Sequence, residues 1–455
     1  HAQKQTDSTQ KAGLLKTAIE SIETFKEVEL QNYFQDDCVT RLKEELQQKK
    51  KESISQAAIF YPIMFDDRVE LVLSLPSSNG SDDRLFKQVN APISSKELQR
   101  QAEAFRERIS RKGYMTVRNN SQGENRDFEY FPYANSLYNA LIKPIMTPNT
   151  EEERKSLERV NTLVIVPHGI LRSIPFAALC NNCDENNENN GKQQKFLIQH
   201  YALAVIPGGE LTDLRERSKG DFKPKQALLN GLREPTNLRE PTNLLTAKKK
   251  VEIVVGDICS KEQKSSYHFG KLDNVPEELS AIQDMLGVGE DNRLEEEQFT
   301  VTAVEDKLKS SSYSIVHFST HGLFNENQGD SFLLAYDGPL ELDRLEALFK
   351  PSIFQDKPVE LLTLSACQSA LGNEQRATLG LAGIAVKAGV RSAVGTLWLV
   401  AEKSTTDLMK TFYEMITKGK PRSKALQEAQ SYLLMQTPYY DPYLWAPFLL
   451  IGNWL

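Results

Sequence analysis

Apolar positions in residues 11 to 36 recur at helical spacing, with Leu15, Ile19, Ile22, Phe25 and Tyr33 close to one face, and residues 40 to 52 (TRLKEELQQKKKE) continue as a polar helix. The period then changes. AIFYPIM (58 to 64) and VELVLSLP (69 to 76) are β-rich runs joined across Phe65-Asp66-Asp67-Arg68, which predicts a hairpin. Helical patterns follow at about 94 to 112 and 131 to 146, and NTLVIVP (161 to 167) is an unbroken apolar run suited to a strand covered on both faces. Further on, FTVTAV, YSIVHFS, SFLLAYD, VELLTLS and RSAVGTLW read as strands, alternating with helical stretches at about 277 to 287, 342 to 349, 377 to 388, 403 to 418 and 421 to 435. This grammar predicts an α/β fold with a mostly parallel sheet flanked by helices.

Two stretches interrupt the pattern. Residues 181 to 194 are Asn- and charge-rich, and residues 232 to 243 hold a tandem LREPTN duplication that runs on through Lys248-Lys249-Lys250 to about residue 270. Both read as surface loops. The second places a boundary near residue 220, giving a helical connector (1 to 55), a first lobe (56 to 219) and a second lobe (220 to 455).

Composition narrows the function classes. With 40% hydrophobic residues, 26% charged residues and a net charge of −7, the 455-residue chain is an ordinary globular protein without the basic field that nucleic acid or an anionic membrane requires. No run approaches the roughly 18 apolar residues of a membrane span, and HAQKQTDSTQK lacks a secretory core, so a cytoplasmic protein is expected. Starting at His1, the sequence reads as a fragment from which upstream material has been removed. Five cysteines (Cys38, Cys180, Cys183, Cys259, Cys367) are too few for a disulfide framework and are expected as free thiols.

Two strands run into reactive residues: SIVHFST into His321-Gly322, and VELLTLSA into Cys367-Gln368-Ser369. In parallel α/β sheets the functional crevice lies beyond the carboxyl ends of the strands, so neighbouring strands would bring His321 and Cys367 to one edge. An imidazole lowers a thiol's pKa and can later protonate an amine leaving group, which suits acyl transfer and peptide hydrolysis. The competing reading is a core thiol. The separation of 46 residues, and the likeness of SACQS to the caspase QACxG segment with its His about 50 residues upstream, favour the dyad. His317 has Phe318 where a zincin needs Glu, so it reads as a structural hydrogen-bonding residue. Cys180-Asn-Asn-Cys183 lacks the second ligand pair of a zinc site and the strand-to-helix setting of a redox motif. Gly380, Gly383 and Gly389 match no nucleotide loop. No metal or cofactor is expected.

Five segments together resemble the CHAT domain, the caspase- and separase-like cysteine peptidases: LVIVPHGILRSIPFAAL, SIVHFSTHGLF, LLTLSACQSALG, LAGIAVKAGVRSAVGTLWLV and DPYLWAPFLLIGNW. The resemblance runs from about residue 57 to the end, and among members it is similar to TPR-linked proteases of the HetF type from filamentous cyanobacteria. It implies two caspase-like lobes, the first without catalytic residues, and an upstream TPR array ending in residues 1 to 55. It implies His321 as general base, Cys367 as nucleophile, the backbone amides of Gly322 and Cys367 as oxyanion hole, and a protein substrate. By analogy with separase-like relatives, Glu402 and Asp407 beyond Trp398 would select a basic residue before the scissile bond, Glu402 reading alternatively as a helix-terminal charge. His168 stands where the family often has Asp, and with no nucleophile strand to match it is read as a turn residue. A catalytically silent, partner-binding scaffold and another thiol acyl-transfer hydrolase are the competing functions.

Overall fold

The computed structural model describes residues 8–34, 56–79, 84–118, 129–183, 195–212, 224–235, 252–254, 266–323, 331–354, 358–365, 367–368, 389–398, 400–436 and 439–455. The expected helices at 40 to 52 and 377 to 388 lie outside these residues.

The hairpin forms as expected, β1 (Ala57–Met64) pairing antiparallel with β2 (Val69–Pro76), and β3 (Arg84–Asn90) adds to β2. Next come β4 (Thr162–Ile165), β5 (Ala202–Val205), β6 (Ala227–Gly231), β7 (Arg293–Glu295) and β8 (Ile315–Ser319). A small sheet follows, built of β9 (Gly322–Leu323), β10 (Phe332–Ala335), β11 (Gly338–Glu341) and, after β12 (Leu361–Leu364), β13 (Cys367–Gln368). The last strands are β14 (Ser392–Thr396) and β15 (Phe448–Gly452). One eleven-stranded sheet runs β7-β6-β8-β12-β14-β15-β5-β4-β1-β2-β3.

That sheet consists of two parallel blocks. β7, β6, β8, β12 and β14 run together, as do β15, β5, β4 and β1, and β14 meets β15 antiparallel. The carboxyl ends of the two blocks therefore lie at opposite edges. β4, β8 and β12 are buried along their whole length, as strands covered on both faces must be.

The covering helices are α1 (Ser8–Phe34), α2 (Ser95–Arg118), α3 (Phe131–Leu137), α4 (Glu151–Glu158), α5 (Val275–Leu286), α6 (Val301–Ser310), α7 (Leu342–Phe354), α8 (Glu402–Thr417) and α9 (Arg422–Met435). α5 packs on β6 and α8, and α9 on β5 and β15. α5 stops at Gly287, whose φ of 66° suits a residue without a side chain. After α3 the chain widens into a π-turn at Tyr138–Ile142, where Pro144 denies the Ala140 carbonyl its usual partner. No described helix is long and apolar enough to cross a membrane.

Three expectations are corrected. FTVTAV is not a strand: Thr300 Oγ1 accepts the Ala303 N–H at 3.1 Å and Asp337 Oδ1 the Val301 N–H at 2.8 Å, so capping overrides the β-branched composition and starts α6. Phe25 is 56% exposed, because α1 turns Leu15, Glu23 and Lys26 inward instead. Cys180 and Cys183 are joined as a disulfide and are not free thiols.

Candidate active site

β8 and β12 are parallel neighbours with Phe318 opposite Leu364, and both continue past the main sheet into β9 and β13, where Gly322 pairs with Cys367. The backbones of His321-Gly322 and Cys367 thus meet at the carboxyl edge of the second block. The Cys367 side chain lies outside the described residues.

His321 is 6% exposed and held from several sides. Its carbonyl accepts the Leu334 N–H at 2.8 Å, and the preceding Thr320 Oγ1 donates to the Leu334 carbonyl at 2.6 Å. The imidazole leans on Phe269, ring centroids 5.0 Å apart, and its Nε2 lies 2.7 Å from the Gly270 carbonyl oxygen. A carbonyl only accepts, so Nε2 carries the hydrogen and Nδ1 keeps its lone pair. Burial pushes the His321 pKa below the usual 6.5, partly opposed by the Gly270 bond, so the ring is neutral at neutral pH.

Gly270 is missing from the sequence reading. A backbone carbonyl leaves no residue-type signal, and this one lies where the second insert was expected to end. Its segment is fixed by Leu272 N–H donating to the Arg233 carbonyl at 2.8 Å, and by Asn274 N–H donating to Glu402 Oε2 at 3.0 Å.

Glu402, the first residue of α8, therefore also receives an amide at the start of α5. Burial raises its carboxyl above 4.5, and those amide bonds work in the opposite direction. Asp407 pairs with Lys403 at 3.4 Å and accepts from the Tyr439 hydroxyl. Trp398 is buried, stacks on Tyr443 and donates Nε1–H to the Tyr443 carbonyl at 3.0 Å.

Beneath the edge, His317 has the structural role expected of it. Its Nε2 is 2.9 Å from Glu278 Oε1 of α5 and its Nδ1 is 3.1 Å from the Tyr413 hydroxyl of α8, which lies 2.9 Å from Thr363 Oγ1 of β12. All four side chains are buried, and burial foremost raises the Tyr413 pKa, so that hydroxyl stays protonated. One consistent proton arrangement runs Thr363 to Tyr413 to His317 to Glu278, tying both helices to the strands that lead into His321 and Cys367. Among the described residues, no group of three or more His, Cys, Asp or Glu side chains is placed to hold a metal ion.

The CHAT domain matches residues 132–453, well over half of the sequence. The chain belongs to the CHAT domain family. No curated protein matches this CHAT chain. Among solved structures, the Saccharomyces cerevisiae separase–securin complex is similar at 9% identity and a TM-score of 0.48, covering 91% of this chain and 30% of that one. A second structure of that complex gives 10% identity, a TM-score of 0.46 and coverages of 92% and 31%. The Arg specific cysteine proteinase gingipain R is similar at 8% identity and a TM-score of 0.39, covering 69% of this chain and 70% of that one. The CHAT chain thus spans under a third of the separase chains it matches.

Proposed function

We propose that this CHAT protein is a cysteine endopeptidase acting through Cys367 and His321, with its catalytic lobe in residues 220 to 455. The observation that carries the reading is the parallel pairing of Gly322 with Cys367, next to a buried histidine whose Nε2–H is committed to the Gly270 carbonyl. That commitment leaves Nδ1 to take the Cys367 thiol proton. The thiolate then attacks the scissile carbonyl carbon, and the oxyanion is received by the backbone amides of Gly322 and Cys367. The His321 imidazolium returns its proton to the leaving amine, and water hydrolyses the thioester, regenerating the thiol. Gly270 acts by orienting His321 and stabilising its protonated form, the part that a carboxylate plays in a triad.

The partner this chemistry implies is a protein substrate, and an upstream TPR array is the partner the family resemblance adds. For selectivity we include Glu402 and Asp407, on the helix that leaves the same sheet edge, as acidic groups favouring Arg or Lys before the scissile bond. A carboxylate near the pocket disfavours an acidic side chain there and attracts a basic one.

Incubating wild-type protein with proteins of its own genome and sequencing the new fragment N-termini tests the proposal. The expected result is cleavage at defined sites that is absent with Cys367→Ala. Full cleavage by Cys367→Ala would refute the assignment, and covalent transfer of an acyl group without peptide cleavage would move the chain to another thiol acyl-transfer class.

A further inference from the structure

The two parallel blocks share a register. Ile165 of β4 pairs with Val205 of β5 as Phe318 of β8 pairs with Leu364 of β12, and counting three residues on from each pair reaches His168 and Gly208 in one block, His321 and Cys367 in the other. The first block therefore has a strand in the nucleophile's place, which sequence reading did not find, but a glycine where the side chain would be.

That place is filled from elsewhere. A Cβ on Gly208 would come 2.5 Å from Glu23 Oε2 of α1, so the carboxylate would have to shift off its donors, and one on Gly209 would come 3.3 Å from Glu23 Oε1. The Glu23 carboxylate is 4% exposed and collects three donors: the Tyr61 hydroxyl at 2.9 Å, the Gly209 N–H at 2.9 Å and the Glu210 N–H at 3.3 Å. A buried carboxylate persists only where its charge is met by such bonds. Burial and the adjacent Glu23 carboxylate keep Tyr61 protonated and hence able to donate. One helical turn on, Lys26 donates to the Pro167 carbonyl at 2.9 Å, and one turn further Glu29 pairs with Arg172. α1 thus lies across the carboxyl ends of β4 and β5 with a charged stripe matched to them.

We propose that this strand edge is a carboxylate-binding socket, formed by Tyr61 and the backbone amides of Gly209 and Glu210 and opened by the absent side chain of Gly208. Its ligand is the Glu23 side chain of α1. The register that serves a nucleophile in one block serves anion binding in the other. The socket stands whether or not the opposite edge cleaves peptides.

Hydrogen–deuterium exchange of the full chain, followed by mass spectrometry on peptides covering residues 13–29, β8 and β12, tests this. Glu23→Ala and Gly208→Ala are expected to speed exchange in α1 about tenfold or more while β8 and β12 keep their protection, because Glu23 makes the most extensively bonded of the contacts that dock the helix. Tyr61→Phe, which removes a single donor and keeps the ring, is expected to give a smaller acceleration confined to α1. Wild-type protection of α1 in both Glu23→Ala and Gly208→Ala overturns the socket. Loss of protection in β8 and β12 together with α1 in all three variants also overturns it, since the contact would then be a strut of the whole fold.

Discussion

His168 and His321 follow buried parallel strands at equivalent register positions, yet their surroundings give them opposite chemistry. His321 has a carbonyl acceptor on Nε2 and an aromatic face against Phe269, and among the described residues nothing is bonded to its Nδ1. Among the described residues the buried Nδ1 of His168 has no hydrogen-bond partner, and burial together with Lys26 and Arg172 lowers its pKa to about 4. A proton added there would meet two cations. The contrast continues down the strands, where the buried pair His317 and Thr363 in the second block corresponds to Val164 and Ala204 in the first. Equivalent register does not give equivalent surroundings; the groups delivered to the strand ends by α1 in one block and by the Gly270 segment in the other set what each histidine meets.

The strongest break of this comparison is at the proposed nucleophile. Cys367→Ala and His321→Ala are each expected to reduce proteolysis about ten-thousand-fold or more without unfolding the chain, since both lie beyond the strand interiors. Gly208→Cys is expected to add no cleavage to Cys367→Ala, because its side chain would meet Glu23 and the neighbouring His168, its pKa lowered to about 4, is a weak base at neutral pH. Fragment analysis by mass spectrometry of all four proteins decides it, and cleavage by the Gly208→Cys, Cys367→Ala double variant would erase the distinction between the edges.

Giving the second block the apolar interior of the first is the next largest change. His317→Val leaves Glu278, 2% exposed, without its partner and is expected to cost about 3–5 kcal/mol. Adding Glu278→Leu removes the stranded charge and is expected to recover most of that loss. Urea unfolding of the single and double variants measures both, and a loss below about 1 kcal/mol in the single variant would show that Glu278 finds another partner.

What was legible in the sequence follows the same physical division. The candidate edge could be read because β8 and β12 are apolar runs that lead into a histidine and a cysteine, two residue types able to act together as base and nucleophile. β5 and β15 were missed, although ALAV and FLLIG lie at the centre of the sheet, because a short apolar run does not separate a strand from a helix. The Glu23 socket was invisible for another reason: glycine and backbone amides are its receptor, and a glutamate on a helix normally faces water. Phe25 shares the helical period of Leu15, Ile19 and Ile22 yet is exposed; periodicity cannot register that α1 seats Glu23 and Lys26 inward.

A smaller effect is the pH dependence that His168 adds to stability. The folded pKa of His168, about 4, is below its ordinary 6.5, so between these values the unfolded chain binds more protons and stability falls as the pH falls. Burial raises Glu29, but the hydrogen bond and charge of Arg172 outweigh it and hold the carboxyl below 4.5, so its contribution starts to be lost only beneath that. In the window from 6.5 down to 4.5, wild-type protein is expected to lose stability relative to His168→Gln, read as urea midpoints at several pH values. Parallel curves for the two proteins would mean that His168 titrates normally.

The smallest expected effect is at Glu402, where the two edges can be compared as users of a carboxylate, buried at Glu23 and half-buried at Glu402. Glu23 has three donors and no ligand to choose, whereas Glu402 has the Asn274 amide and lies at the start of the helix beyond the nucleophile's sheet edge. In Glu402→Gln the side-chain oxygen still accepts from Asn274, so stability is expected to fall by no more than about 1 kcal/mol. The lost charge should matter more to a basic substrate than to a neutral one. Because Glu402 is only half-buried, water screens it, and the ratio of cleavage after Arg to cleavage after a neutral residue is expected to drop about two- to fivefold. A positional-scanning peptide library measures that ratio. No change would remove Glu402 from the specificity pocket and leave Asp407 as its acidic group, while cleavage after Asp would reverse the proposed preference altogether.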